Sequence, residues 1–451
     1  ILEFKNEMKN KINSFLTDPQ REEFERMLDQ VKKGSKKVLD WSSIHSPDDS
    51  MQANYHSLRD PGICPDNYSR LVIGKLNGGL GTSMGCSEPK SLVKVRGKKT
   101  FLDLICEQVH ELNAKWDSNI PLLLMNSFYT DKKISEFVGN SDLPITTFKQ
   151  NMFPRLDPET FLPLSPDEWG DQTWYPPGHG DFYNCIEQQG ILGRLIEDGK
   201  DILFMSNADN LGAVADSKIL NHMIEKKIPF LMEVTPKTPA DVKGGTLYEQ
   251  NGKLKLLEIA QVPKEYIDDF CSQDKFSVFN TNNIWINLIA LEQRLREGPL
   301  NLNVIVNQKN IQGKPIVQLE TAIGSAMDCF EDAVGLCVSR DRFMPVKKTE
   351  DLFLVQSNLF NLDGGRLVRN EERKFDYLPE VKFGSPLNQL EAFQKCFPVI
   401  PDLLELELLD VAGRVFFEGS ASLKGRVRLK GINKTMYIEN GRHIENESIE
   451  C

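Results

Sequence analysis

The sequence predicts an α/β fold, in which a mainly parallel sheet carries helices on its faces. Short apolar runs alternate along most of the chain with stretches of helical periodicity, such as 101–112 and 216–225. The strand-like runs lie at 71–73, 121–125, 145–148, 202–205, 229–234 and 284–286. This alternation is typical of a sheet built from strand–helix–strand units. Ligands bind beyond the carboxyl ends of the strands in such sheets, so the polar segments that follow these runs are candidate site segments.

The first part of the chain predicts helices that carry no chemistry. Apolar side chains recur at helical spacing at Leu2, Met8, Ile12 and 15–16, and again at Phe24, 27–28 and Val31. Such stripes are typical of core contacts, so residues 1–45 are predicted to form a small helical cap. Residues 41–68 are rich in Ser, Asp and Pro and show little periodicity, and we expect them to wrap over the surface.

A glycine-rich loop follows the first strand-like run. Residues 71–92 read LVIGKLNGGLGTSMGCSEPKSL, with the glycines at 78–81 and a lysine, Lys90, near the end. Glycines after a strand let the backbone approach a ligand, and their N–H groups can face phosphate oxygens. Pro89 stands where a Walker A loop has glycine, and Met84 stands where the dinucleotide fingerprint has its third glycine. The sequence therefore predicts a phosphate-binding loop of another kind; the alternative is a glycine turn beside a surface lysine.

This loop resembles the nucleotide-binding signature of the UDP-glucose pyrophosphorylase family. Further segments resemble that family in the same order along the chain: MNSF from 125, WYPPGHGD from 174, SNADNLG from 206, DVKGGTL from 241, EIAQVP from 258, FNTNN from 279 and MPVKKT from 344. Together these segments are far more specific than any single motif. The resemblance covers most of the chain and weakens near both ends.

The resemblance implies a glycosyltransferase-A-like, Rossmann-like fold, in which a mixed, mainly parallel sheet carries helices on both faces. It implies a catalytic nucleotide- and sugar-phosphate-binding domain over 46–400. A small left-handed β-helix domain is implied over 401–451, where short β-type pieces at 415–417, 427–429 and 436–438 read as separate rungs. Family members also occur as assemblies joined through this C-terminal domain, so a homo-oligomer is a possible partner arrangement.

The composition is that of an ordinary globular protein: 40% of the residues are hydrophobic and 26% are charged. A net charge of −11 argues against a nucleic-acid partner, because a phosphate backbone is bound by basic surfaces. No apolar stretch approaches transmembrane length, which predicts no membrane association. The nine cysteines are scattered and form no C-x-x-C pair, which predicts reduced thiols and a cytoplasmic protein.

The resemblance implies uridylyl transfer from UTP to glucose-1-phosphate, which gives UDP-glucose and pyrophosphate reversibly, with Mg²⁺ as cofactor. The protein needs no nucleophile of its own, because the sugar phosphate attacks directly; it must align two anions and neutralise charge. By resemblance, Lys90 is the catalytic lysine on the triphosphate and Lys347 is a second phosphate-binding lysine, with Lys348 charged beside it. Asp209 is the implied Mg²⁺ ligand, and an Asx-type turn cap is its alternative role.

The remaining site positions also follow from the resemblance. Gln150 is expected to read the uracil edge, since an amide both donates and accepts, and His179 is expected to meet the α-phosphate. The other nucleotide-binding positions are Leu76, Gly78, Gly79, Met125 and Gly178. The sugar-binding positions are Asn207, Gly245, Glu258, Asn280 and Asn282. Without the resemblance, the FNTNN segment would indicate only a polar turn.

The sequence leaves three points open. Glu88 stands where family members often have glycine, and it could either weaken the hold of Lys90 on phosphate or point into solvent. Cys86 lies in the same loop, and its oxidation could slow turnover; the alternative is a small buried apolar residue. A UDP-sugar pyrophosphorylase of other sugar specificity and a catalytically silent sugar-nucleotide sensor are the alternative functions. Ser83 argues against the N-acetylhexosamine enzymes, and retention of both lysines and Asp209 argues against silence.

Overall fold

A computed structural model describes residues 15–34, 40–48, 51–62, 64–238 and 241–451. The predicted helical stripe through Leu2, Met8 and Ile12 lies outside these residues. The described α-helices are α1 (Asp18–Gly34), α2 (Pro65–Ser69), α3 (Phe101–Trp116), α4 (Asp131–Val138), α5 (Pro166–Trp169), α6 (Phe182–Gln188), α7 (Ile191–Glu197), α8 (Ser217–Lys226), α9 (Ile267–Cys271), α10 (Leu288–Arg296), α11 (Thr349–Gln356) and α12 (Leu390–Cys396). Among these helices, none combines the length and apolarity that crossing a bilayer requires.

The strands of the described residues fall into one large sheet, a C-terminal sheet and several hairpins. In chain order they are β1 (Gln52–Asn54), β2 (Leu71–Asn77), β3 (Lys94–Arg96), β4 (Lys99–Thr100), β5 (Leu122–Asn126), β6 (Ile145–Lys149), β7 (Phe153–Pro154), β8 (Trp174–Tyr175), β9 (Ile202–Asn207), β10 (Phe230–Pro236), β11 (Thr246–Gln250), β12 (Lys253–Leu257), β13 (Val278–Asn287), β14 (Val304–Ile311), β15 (Lys314–Thr321), β16 (Val334–Cys337), β17 (Phe360–Asp363), β18 (Arg366–Arg369), β19 (Glu380–Phe383), β20 (Leu406–Phe417), β21 (Ala421–Ile438), β22 (Arg442–Glu445) and β23 (Ser448–Glu450).

The large sheet has eight strands in the order β1-β16-β10-β13-β9-β2-β5-β6. All neighbours pair in parallel except β13, which is antiparallel to both β10 and β9. All six predicted strand-like runs lie in strands of this sheet. The mixed, mainly parallel α/β architecture predicted from the sequence is confirmed.

Both faces of the sheet are covered by helices, which explains why its central strands β2, β5 and β9 are mostly apolar. Along β2, Leu71 and Ile73 pack into one core with side chains of α3 and α8. Val72, which points to the opposite face, packs into a second core with side chains of α6, α7 and α10. A strand that is buried on both faces cannot alternate between apolar and polar residues.

The structure corrects the prediction for β13, which begins at Val278 and not at 284. The FNTNN segment is therefore strand and not a polar turn. Two of its polar side chains are buried and satisfied by distant partners: Thr281 Oγ1 donates to the Glu233 carbonyl at 2.7 Å, and Asn283 Nδ2 donates to the Glu233 carboxylate at 3.0 Å. Because those partners lie on β10, the local sequence gives no sign of them.

The segment 41–68 is not simply a surface wrap. Trp41 and Ile44 are buried, and the Trp41 ring stacks on Tyr266 at 5.0 Å between centroids. Strand β1 joins the edge of the large sheet in parallel with β16. A strand of three residues is too short to produce a visible hydrophobic period, which is why the sequence did not predict it.

The C-terminal strands β19 to β23 pair in parallel throughout. The prediction of separate short strands at 427–429 and 436–438 is wrong, because both lie in the single long strand β21. The polar interval between them is a register break against β20, where Gly413 has φ +76°. This sheet also takes in β19, which precedes the predicted boundary at 401. The Phe417 ring packs against the Phe397 ring, at 4.9 Å between centroids, in the core shared with the large sheet.

Candidate active site

The glycine-rich loop lies at the carboxyl end of β2 and borders a cavity of about 790 Å³. After Gly81, which has φ +67°, the chain turns back so that the Lys90 N–H donates to the Gly79 carbonyl at 3.1 Å. A side chain at Gly81 would crowd Cys86 and Lys90. The loop is thus folded tightly onto itself, with Lys90 held beside the glycines.

The cavity brings together ten of the predicted site residues from five parts of the chain. They are Leu76, Gly78, Gly79, Lys90, Met125, Gln150, Gly178, His179, Asn207 and Asp209. Most of them follow the ends of β2, β5, β6 and β9, which are neighbours and parallel. The position agrees with the rule for ligand sites in parallel sheets.

Gln150 has the geometry of a group that awaits a partner. Its side chain is buried, and its Oε1 has no hydrogen-bond partner within the described residues. Its Nε2 packs against Gly78 so closely that a methyl group there would overlap it. Met125, which is buried, lines the same cavity. A buried amide oxygen without a partner is costly unless a ligand donor reaches it.

Lys90 and Asp209 form an ion pair, with 2.5 Å between Nζ and Oδ2. Their side chains are 15% and 18% exposed, so the pair is shielded from bulk water but open to the cavity. A cation and a carboxylate at the mouth of a glycine loop suit an anionic ligand and a cation that accompanies it.

Lys347 does not line this cavity and its side chain is exposed. Its backbone nevertheless lies next to the other charged groups. The Val346 N–H donates to the Asp209 carbonyl at 3.2 Å, and Ser83 Oγ donates to the Lys347 carbonyl at 3.2 Å. The segment that carries Lys347 is thereby attached to the Asp209 turn and to the glycine loop, while the Lys347 ammonium lies over the Phe343 ring, 5.9 Å from its centroid.

The predicted sugar-binding residues form a connected set that extends from Asn207. Asn282 Nδ2 donates to Asn207 Oδ1 at 2.9 Å, because antiparallel β13 begins where parallel β9 ends. The Asn280 N–H donates to the Gly245 carbonyl at 2.7 Å. A side chain at Gly245 would meet the Glu258 carboxylate at 2.6 Å, and burial raises the pKa of Glu258. Of this set only Asn207 lines the large cavity, so the others form a lobe beside it.

His179 is held as a neutral imidazole. Its Nδ1 accepts a hydrogen bond from the Ile323 N–H at 2.9 Å, which leaves the proton on Nε2. Burial lowers the pKa of His179 from 6.5 to about 4. The ring therefore presents an N–H donor, not a positive charge, to whatever occupies the cavity.

A buried charged group that sequence reasoning missed lies beneath the site. Lys75 is 1% exposed; its Nζ donates to Ser206 Oγ at 2.7 Å and to the Ala213 carbonyl at 3.2 Å. Burial, reinforced by the positive charge of Arg342, lowers the pKa of Lys75 to about 7. The only sequence signal is a lysine within an apolar strand. These two bonds connect β2 to Ser206 and Ala213, which lie before and after Asp209 in the chain.

A second buried group ties the Lys347 segment to the sheet. Arg342 forms a bidentate ion pair with the fully buried Glu233. Its Nη2 donates to Oε1 at 2.6 Å, and its Nε donates to Oε2 at 2.7 Å. Asn210 Oδ1 accepts from the Met344 N–H at 2.8 Å, and its Nδ2 donates to the Arg342 carbonyl at 3.2 Å. Asn210 thus joins the turn after β9 to the segment that leads to Lys347.

Other cavity residues had no signal in the sequence. The β14–β15 hairpin contributes one wall, and Tyr129 and Arg155 complete the lining. The hairpin residues are Lys309, Asn310, Ile311, Gln318 and Glu320. They belong to no recognised motif, because a hairpin that arches over a site is placed by tertiary packing.

The structure bears on two open points about the loop. Glu88 points away from Lys90 and pairs with Lys133 at 3.3 Å, with both side chains half exposed. Cys86 is half-buried, and burial raises the pKa of its thiol even though Lys90 lowers it. A raised thiol pKa disfavours the reactive thiolate and therefore the redox hypothesis.

Comparison with known proteins identifies the family of the chain. The sequence model of the UTP–glucose-1-phosphate uridylyltransferase family matches residues 21–424. The chain is 44% identical over 434 residues to UTP–glucose-1-phosphate uridylyltransferase 2 of Dictyostelium discoideum, covering 94% of this chain and 86% of the relative. It is 43% identical over 443 residues to UTP–glucose-1-phosphate uridylyltransferase of Hordeum vulgare, covering 96% and 94%.

Solved structures give the same result. A mutant of UDP-glucose pyrophosphorylase from Leishmania major in complex with UDP-glucose superposes with a TM-score of 0.88 at 32% identity, covering 99% of both chains. UDP-glucose phosphorylase from Trypanosoma brucei superposes with a TM-score of 0.85 at 32% identity, covering 98% of both chains. The chain therefore belongs to the UTP–glucose-1-phosphate uridylyltransferase family, also called the UDP-glucose pyrophosphorylases.

Proposed function

We propose that this protein transfers the uridylyl group of UTP to glucose-1-phosphate and so makes UDP-glucose and pyrophosphate. The observation that carries the proposal is the grouping of three kinds of side chain around one cavity. An unpartnered amide, Gln150, and a lysine–carboxylate pair, Lys90 and Asp209, line the cavity, and an asparagine-rich lobe adjoins it through Asn207. Those three regions suit a base, phosphates and a sugar, in that order.

The amide of Gln150 suits uracil, whose N3–H donates and whose O4 accepts. Gly78 leaves room for the Gln150 amide, and Met125 offers an apolar surface for the ring of the base. The asparagine lobe suits glucose, because sugar hydroxyls both donate and accept. Glu258, whose raised pKa reflects a poorly solvated carboxyl, suits an acceptor for one of those hydroxyls.

In the proposed reaction a phosphate oxygen of glucose-1-phosphate attacks the α-phosphorus of UTP. The bond between that phosphorus and the bridging oxygen of the β-phosphate breaks, and pyrophosphate leaves with the bonding electron pair. Lys90 is proposed to hold the departing phosphates, and Lys347 to hold the incoming sugar phosphate. His179 is proposed to donate its Nε2–H to an α-phosphate oxygen. The chain thus contributes alignment and charge neutralisation.

Mg²⁺ is proposed as the cofactor, with Asp209 as its protein ligand. The described residues contain no group of three His, Cys, Asp or Glu side chains that could hold a metal by themselves. That fits Mg²⁺, which binds through one or two carboxylates together with substrate phosphates and water. When bound, the ion would offset charge on the triphosphate, and Lys90 would exchange its contact with Asp209 for phosphate oxygens.

Further features are proposed on the strength of the family. The reaction is reversible, since a phosphoanhydride is broken and another is made. The parallel strands β20 to β23 form a left-handed β-helix domain, which serves as the contact between copies of the chain in an oligomer. The protein works in the cytoplasm, which suits its nine free thiols.

The proposal is tested by pyrophosphate release from UTP with three acceptors: glucose-1-phosphate, galactose-1-phosphate and N-acetylglucosamine-1-phosphate. We expect release with glucose-1-phosphate and at least tenfold lower kcat/KM with the other two, because a site built for given hydroxyls rejects others. Lys90→Ala is the matched inactive control, and Glu88→Gln, which alters the same loop outside the cavity, is the active one. Release with all three acceptors at similar rates would mean a broad UDP-sugar enzyme. UTP binding without release would mean a sensor.

A further inference from the structure

We propose that Asp181 is a positioning residue that fixes the direction of Gln150 and so sets the preference of the site for uracil over cytosine. This inference rests on the proposed function, because it concerns the base that the site reads. Asp181 does not line the cavity, and nothing in the chemistry of transfer requires it.

Asp181 is a buried carboxylate that accepts two hydrogen bonds from the Gln150 segment. It is 2% exposed. Its Oδ2 accepts from the Asn151 backbone N–H at 2.6 Å, and its Oδ1 accepts from Asn151 Nδ2 at 2.8 Å. The Cys185 thiol donates to Oδ2 at 3.1 Å. One carboxylate therefore holds both the backbone and the side chain of the residue next to Gln150.

These bonds complete a frame around Gln150. On one side, the Gln150 N–H donates to the Asn126 carbonyl at 2.9 Å, which anchors it to β5. On the other side, Asp181 anchors Asn151. The Asn151 Oδ1 accepts from Gln20 Nε2 of α1 at 3.0 Å, so both polar atoms of the Asn151 amide are occupied. The side chain of Gln150 projects from a backbone that is fixed at both of its ends.

The frame also reaches the phosphate end of the cleft. Asp181 lies in the same helical turn as His179, His179–Asp181, directly before α6. Fixing Asn151 on Asp181 therefore fixes the spacing between Gln150 and His179, which line the same cavity. A nucleotide that contacts both residues is bound at a set distance between its base and its α-phosphate.

The distinction between the two pyrimidines needs such a frame. Uracil offers a donor at N3 and an acceptor at O4, whereas cytosine offers an acceptor and a donor at the corresponding places. When a side-chain amide flips by 180°, its oxygen and its NH₂ group exchange positions, and the flipped amide matches cytosine. Discrimination therefore depends on holding the Gln150 amide in one orientation.

The test is a reciprocal exchange. In Asp181→Asn, an NH₂ group replaces the oxygen that faces Asn151 Nδ2, so two donors meet. In Asn151→Asp, two carboxylates meet. In the double variant, the amide introduced at position 181 accepts from the backbone N–H of position 151 and donates to the carboxylate introduced there, so both bonds re-form and the side-chain bond runs in the reverse direction. Asp171→Asn, which changes an exposed carboxylate ten positions earlier, is the matched control.

Steady-state kcat/KM with UTP and with CTP is measured for each variant, together with equilibrium binding of both nucleotides by calorimetry. We expect each single exchange to reduce the UTP:CTP preference roughly 10- to 100-fold, since a misplacement of about 1 Å has effects of that size. We expect the double variant to recover most of that preference, and Asp171→Asn to keep all of it. Gln20→Ala removes the outer bond to Asn151 together with the bond that Gln20 accepts from the Thr17 N–H. It leaves both Asp181 bonds in place, so it should cost less than either exchange, and it covers the case in which a single exchange does not fold.

A parental UTP:CTP preference in folded Asp181→Asn would overturn the inference. The inference would also be overturned if the double variant lost as much UTP:CTP preference as the two single exchanges combined. The parent could bind UTP in preference to CTP and yet release no pyrophosphate. The proposed transfer would then fail, but the ratio of the UTP and CTP affinities of each variant would still decide the role of Asp181. If the parent shows no base preference, the inference is overturned.

Discussion

His179 should make folding stability fall as the pH is lowered from 7 to 5, by an amount that the structure allows us to calculate. Burial lowers its pKa from 6.5 to about 4 in the folded protein. Between these values the unfolded chain binds a proton that the folded chain does not, so the free energy of unfolding falls with pH in this range. The stabilising contribution is complete above 6.5 and is lost progressively toward 4. Linkage between the two pKa values gives a loss of about 2 kcal/mol between pH 7 and pH 5.

The assay is urea unfolding at pH 7, 6 and 5 for the parent and for His179→Asn. An asparagine Oδ1 can take the place of Nδ1 as acceptor for the Ile323 N–H, but it does not titrate. Every other titrating group is common to both proteins, so subtracting the two pH profiles isolates His179. We expect the parent to lose about 2 kcal/mol more than the variant between pH 7 and pH 5. Parallel profiles would show that the folded imidazole takes up a proton in this range, and the neutral-donor role would be refuted.

Four further predictions concern steady-state kinetics of variants whose circular dichroism matches the parent. Lys90→Ala should lower kcat by about 10²–10³, and Lys90→Arg should not restore it, because a guanidinium fork does not replace an ammonium in a tight loop; a near-parental kcat would remove Lys90 from the mechanism. Lys347→Ala should lower turnover and also raise KM for glucose-1-phosphate; an unchanged KM would place Lys347 away from the sugar phosphate. Gln150→Ala should lose discrimination between UTP and CTP worth roughly 1–3 kcal/mol, and retained selectivity would make Gln150 structural. Gly245→Ala, whose methyl would meet the Glu258 carboxylate at 2.6 Å, should raise KM for glucose-1-phosphate and leave UTP binding intact; the reverse result would separate this lobe from the sugar.

The central strands could be predicted because burial on both faces leaves a signal in the local sequence. Residues 71–73 are continuously apolar since their side chains enter two separate cores. The start of β13 carries no such signal. Thr281 and Asn283 are buried there as polar groups, and only their bonds to Glu233 make that tolerable.

The site shows the same division between local and distant causes. The glycine loop with Lys90 is a contiguous motif, so its place at the end of a strand could be predicted. Lys75 could not be predicted, because a lysine in a strand becomes a buried group only when Ser206 and Ala213 arrive from elsewhere in the chain. The role of Asp181 depends in the same way on Asn151, which lies in a different element.

The attachment of Val346 to the Asp209 turn has a consequence for the order in which the protein is made. The glycine loop is synthesised early, β9 and β13 follow much later, and the segment that leads to Lys347 comes later still. During synthesis, a chain that stops short of this segment has the loop but lacks the second lysine and the backbone bond that steadies Asp209. In the proposed mechanism, full substrate affinity therefore arises only after this segment has been made, which is later than β9 and β13. Nucleotide binding then acts on the completed fold, which it stabilises by mass action, and leaves the partly made chain without that support.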